Sequence, residues 1–61
     1  MMNYNVRSQG RQDLNQEFDT LPEAIRYMKS LAGDSNPVWI DRTDGEELTT
    51  KERETINRMT E

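Results

Sequence analysis

The chain contains no cysteine and no histidine, and only three glycines and two prolines. Without cysteine there is no disulfide and no thiolate metal site, and without histidine the usual zinc ligand sets are missing as well. Apolar residues are scarce too, at 31% of the chain against 33% charged, with a mean hydropathy of -1.12. At 61 residues one small domain is the most that can form, and such a domain hides only about 60% of the surface its unfolded chain exposes. Small domains depend on a staple, and with the covalent and metal staples excluded, self-association is the one that remains. No apolar run nears the ~18 residues of a membrane span, and the N-terminus has neither the basic flank nor the apolar stretch of a signal peptide. A cytoplasmic protein without a membrane partner is therefore expected.

Basic charge is also short. Eight Lys and Arg stand against twelve Asp and Glu, giving a net charge of -4 and a pI near 4.7, which argues against a surface built for the nucleic-acid backbone. The excess is C-terminal, because residues 41–61 carry seven acids against Arg42, Lys51, Arg53 and Arg58. Acidic mimicry of DNA is a weaker alternative, since the acids are interrupted by cations in the manner of a solvated face.

These absences bear on chemistry. Catalysis near neutral pH needs a titrating base, an activated nucleophile or a metal, and here only carboxylates, Lys29, Lys51 and the tyrosines are on offer. The stretch from Asp41 to Glu47 resembles a calcium loop only superficially, because its acids do not fall at the spacing such a loop requires. Glu46 and Glu47, neighbours on an expected strand, would point to opposite faces and so form no acid/base pair. Gly10, Gly33 and Gly45 are isolated, so there is no phosphate-cradling loop. No enzyme activity, cofactor or metal is expected.

What the chain does have is pattern. Leu21, Ala24, Ile25, Met28, Leu31 and Ala32 recur at helical spacing within one narrow arc, predicting a helix over 21–32. Thr20 and Glu23 form a potential capping box, Pro22 suits the first turn, and Gly33 suits the C-terminal cap. Before it, the alternations Tyr4-x-Val6 and Leu14-x-Gln16-x-Phe18 predict two strands. After it, Asn36-Pro37 opens the β-branched and aromatic run Val38-Trp39-Ile40, and Thr43-Asp44-Gly45 signals a turn into Glu46–Thr49, read as a fourth strand. A three-residue loop with Gly45 left-handed would pair Ile40 with Leu48 and Arg42 with Glu46, gathering Val38, Ile40 and Leu48 on one face. From Thr49 the chain is helix-permissive, with a second potential capping box at Thr49 and Glu52 and an apolar stripe of Ile56 and Met59. The expected core is Tyr4, Val6, Phe18, Leu21, Ala24, Ile25, Met28, Leu31, Val38, Ile40 and Leu48, with Leu14 at a loop edge and Tyr27 at the core rim.

Trp39 is the informative residue. If Val38 and Ile40 face the helix, alternation sends the indole to the other face of the sheet, among Asp41, Asn3, Asn5 and Arg7. A large aromatic there wants a cover. The C-terminal helix could lay Ile56 and Met59 on it, or a second chain or another protein could bury it, tryptophan being enriched at interface hot spots. A ligand stacked on the ring is a third possibility.

The order Phe18-x-Thr20-x-x-Glu23-Ala24-Ile25, Leu31-x-Gly33, Pro37–Ile40 and Asp44-Gly45 resembles the small uncharacterised ββαββ proteins of bacterial and phage genomes, over residues 3–48. The resemblance implies a non-catalytic accessory protein that binds and modulates another protein, and the segment after Thr49 departs from its pattern. The reading is thus a single α+β domain over 1–61, with a four-stranded antiparallel sheet (ββαββ), one helix on a face and a short C-terminal helix. Its expected function is a homodimeric protein-interaction module with Trp39, Asp41, Arg7, Ile56 and Met59 at the interface. The alternative is a sequestering protein that holds an anionic or nucleotide-like ligand at a dimer seam through Arg7 or Arg11 and Trp39.

Overall fold

A computed structural model describes residues 2–31 and 37–60. In chain order the elements are β1 (Tyr4–Ser8), a 3-10 turn (Gln12–Leu14), β2 (Gln16–Phe18), α1 (Leu21–Ser30), β3 (Val38–Arg42) and α2 (Thr50–Thr60). The architecture is α+β, with an antiparallel sheet of three strands in the order β2-β1-β3.

Strand parity organises everything else. Along β1 and β3 the even-numbered side chains, Tyr4, Val6, Ser8, Val38, Ile40 and Arg42, share the face that the helices cover, while Asn5, Arg7, Trp39 and Asp41 share the other. On the covered face Val6 and Ile40 meet Leu21, Ala24 and Ile25 of α1 in a buried cluster. Tyr4, Phe18, Tyr27, Met28, Leu31, Val38, Ile56 and Met59 close around it. Ile25 and Val6 are fully buried. The Phe18 and Tyr27 rings sit 5.3 Å apart, and the Tyr27 hydroxyl donates to Leu14 O (2.6 Å), tying the loop before β2 to α1.

Helix α1 starts where its sequence signals place it. Thr20 occupies the N-cap with extended backbone and Pro22 lies in the first turn, where its missing N–H breaks no helical bond. The capping box expected there does not close, since the Thr20 side chain makes no cap hydrogen bond. The expected Ala32 and Gly33 end of this helix and the Asn36 lead-in to β3 lie outside the described residues.

The fourth strand is a correction. The turn forms as the three-residue reading requires, with Gly45 at φ +80° and its N–H donating to Arg42 O (3.4 Å), but no returning strand follows. On its β1 side Ile40 pairs with Val6 and Arg42 with Tyr4, and neither pairs with Leu48 or Glu46 on the other. Two local interactions outcompete the ladder. Asp44 turns its carboxylate onto the Glu46 N–H (2.9 Å), and the Thr49 N–H is committed to Glu52 Oε1 (2.8 Å) while Thr49 Oγ1 accepts from the Glu52 N–H (3.2 Å). The second capping box therefore closes, and it takes the segment's last residue for a helix. Leu48 stays half-buried outside the core cluster, while Ile56 and Met59 pack against that cluster. Glu46 and Glu47 are exposed in a loop, so strand alternation does not separate them.

Candidate functional site

Two side-chain groupings stand out, one on each face of the sheet. On the helix-covered face, Tyr4 and Arg42 are cross-strand neighbours and both reach α2. The Tyr4 hydroxyl donates to Glu52 Oε2, and Arg42 Nη1 donates to Glu52 Oε1 (3.4 Å). Arg42 also grips Asp44 through two bonds, Nη2 to Oδ2 (2.6 Å) and Nε to Oδ1 (3.2 Å). At the far end of α2, Lys29 Nζ donates to Met59 O (3.0 Å), joining the two helices. The Thr49 N–H, and after it the Tyr4 hydroxyl, hold the Glu52 carboxyl below the usual carboxylate range. The hydrogen bond to Glu52, then burial, pushes the Tyr4 hydroxyl up.

This grouping explains where α2 goes. Tyr4 and Arg42 have even strand parity, so the carboxylate they capture must lie on the helix-covered face, and Ile56 and Met59 follow it there. Of the three covers open to Trp39, the one in which α2 lays Ile56 and Met59 on the indole is therefore excluded, and the placing of those two residues beside Trp39 is corrected. Sequence reasoning could have found it: Tyr4 and Arg42 share the parity of Val6 and Ile40, and Glu52 was already singled out as a cap.

On the opposite face Trp39 is 40% exposed. Its indole N–H donates to Asp41 Oδ2 (2.9 Å), two residues along the same strand, and Arg7 Nε lies 3.4 Å from that same oxygen. Side chains of Arg7 and Asp41 remain about half exposed, so this ion pair orients the groups and adds little stability. Next to Arg7 a shallow depression is lined by Asn5, Asn15, Gln16 and Glu17. Of the five residues expected at an interface, Trp39, Asp41 and Arg7 are thus brought together, while Ile56 and Met59 belong to the core on the other side. The anion-binding alternative called on Arg7 or Arg11. The first is paired with Asp41 and the second with Asp13 (3.3 Å).

No known protein family, curated protein or solved structure matches this chain. Among the described residues, no helix is long and apolar enough to cross a membrane, and no three acidic side chains lie close enough together to hold a metal ion.

Proposed function

We propose that this chain is a non-enzymatic protein-interaction module that works as a homodimer and binds another protein through the face carrying Trp39. One observation carries the reading: a tryptophan 40% exposed on a sheet face otherwise made of Asn, Arg, Asp and Glu, with both helices packed elsewhere. The indole is held in place by Asp41 before any partner arrives. Pre-orientation of this kind lowers the ordering cost of binding, and a rigid aromatic ringed by polar groups is the usual make-up of an interface hot spot. The thin core adds a reason for a second copy, since among the described residues only Val6, Leu21, Ala24, Ile25 and Ile40 are buried apolar residues. The ion-paired state of Arg7 and Arg11 favours this reading over capture of a small anion.

Sedimentation velocity across the micromolar range, on the wild type and on Trp39→Ala, tests it. The wild type should sediment as twice its 7.2 kDa mass, and Trp39→Ala should dissociate at concentrations where the wild type is paired while keeping its far-UV spectrum. A wild type that stays monomeric throughout, or a variant that pairs as well as the wild type, overturns it.

A further inference from the structure

The two edges of the sheet are built differently. Strand β2 is three residues long, carries Gln16 and Glu17, and is distorted where Asn3 N–H donates to Phe18 O although Phe18 is paired with Tyr4. Shortness, charge and a bulge are the usual protections of an edge. Strand β3 is neither short nor bulged, although it too carries charge, at Asp41 and Arg42. It runs five residues, Val-Trp-Ile-Asp-Arg, with regular pairing to β1 on one side and, among the described residues, no strand on the other.

Which backbone groups face outward follows from the ladder. The Gln9 N–H donates to Pro37 O and the Thr43 N–H to Asn3 O, so the odd-numbered residues of β3 exchange hydrogen bonds with β1. The N–H and C=O groups of Val38, Ile40 and Arg42 therefore point away from the sheet. Among the described residues, only Gly45 bonds any of them, at the Arg42 carbonyl.

We infer that the homodimer forms by antiparallel pairing of β3 with β3 of a second copy, on a two-fold axis through Ile40. The register follows from parity and charge. With Ile40 opposite the partner's Ile40, Val38 faces the partner's Arg42, Trp39 faces the partner's Asp41, and the whole strand is used. Sliding by two residues in one direction sets Asp41 opposite Asp41, a like-charge clash. Sliding the other way shortens the ladder to three residues, with Trp39 opposite Trp39. In the full register no like charges oppose each other, and each indole gains as neighbour a carboxylate of the kind that already accepts its N–H within the chain. The Ile40 side chain stays in its own core, 5% exposed, so the contact uses its backbone. The result is a continuous six-stranded sheet in which the two tryptophans lie diagonally across the seam, about 7–8 Å apart at Cα, as one aromatic patch on the uncovered face.

This rests on the homodimer reading, and amide hydrogen exchange on the intact wild-type protein separates the two. As protein concentration rises through the dimerisation range, the amides of Val38, Ile40 and Arg42 should slow by about tenfold or more. The alternating amides of Trp39 and Asp41, already bonded to β1, should change far less. A dimer in which the three outward amides do not slow overturns edge pairing while leaving the homodimer intact. Amides already protected at the lowest concentration overturn it as well, because the edge is then closed within the chain. A protein monomeric at every concentration overturns both. Register is read separately in this cysteine-free chain, at protein concentrations high enough to pair the weakened variants: an oxidised mixture of W39C and D41C should give the mixed disulfide, since directly opposite non-hydrogen-bonded residues lie within bridging distance. A disulfide between two copies of W39C alone contradicts the register.

Discussion

Ser8 lies 4% exposed at the end of β1 on the helix-covered face, and its hydroxyl has no hydrogen-bond partner among the described residues. Its backbone is served, since the N–H donates to Asn15 Oδ1 (3.0 Å), so the unmet group is the side chain alone. A buried hydroxyl without a partner costs about 1–3 kcal/mol. Ser8→Ala should therefore raise stability by about 1 kcal/mol, measured as a higher urea midpoint at unchanged slope; an equal or lower midpoint contradicts this account of the site. At the same scale, much of the candidate site is legible in the chain. The run Val38-Trp39-Ile40 contains enough apolar residues to say which parity faces the core, and the indole's place beside Asp41 and Arg7 follows from counting by twos. Less legible is that one oxygen of Asp41 serves both Trp39 and Arg7, because nothing in a residue's identity states which neighbours its carboxylate takes.

Among the elements, α2 depends most on polar contacts. Two apolar side chains, Ile56 and Met59, reach the core from it, and its first turn is held by Thr49, Tyr4 and Arg42 converging on Glu52. The carboxyl of Glu52 lies below its ordinary value of 4.5 in the fold. Its contribution to stability is therefore complete above that value and is lost as pH falls through the lower, folded one. The Tyr4 hydroxyl is shifted the other way from 10.0, so its contribution is present below that value and fades as pH rises past the raised one. Glu52→Gln keeps a side chain that can close the capping box but removes the charge. It should flatten the acid limb of a stability-against-pH curve below about pH 4.5, and an unchanged acid limb would mean that other carboxylates set it. Helix α1 is legible because Leu21, Ala24, Ile25 and Met28 repeat at its period after the start signals of Thr20 and Pro22. The missing fourth strand is not, because Glu46–Thr49 has a strand's turn before it and a single apolar residue within it. Its fate was decided by side-chain bonds of Asp44 and Glu52 that compete with a ladder on nearly equal terms.

For the whole molecule, the shortage of apolar residues divides unevenly between the two sheet faces. One face takes two helices and nearly all of the apolar side chains; the other keeps a single tryptophan among polar groups. The chain has no cysteine or histidine to staple such a domain, and the proposed second copy is the element that would complete it. The chain's one tryptophan makes it its own reporter, since all indole emission comes from position 39. The most direct measurement is the emission maximum of the wild-type protein as it is diluted from high micromolar to nanomolar concentration. A second chain beside Trp39 predicts a shift to longer wavelength on dilution, as the partner leaves and water takes its place. An emission maximum that stays at the long-wavelength, solvent-exposed position at every concentration would contradict the claim that a second copy lies beside Trp39.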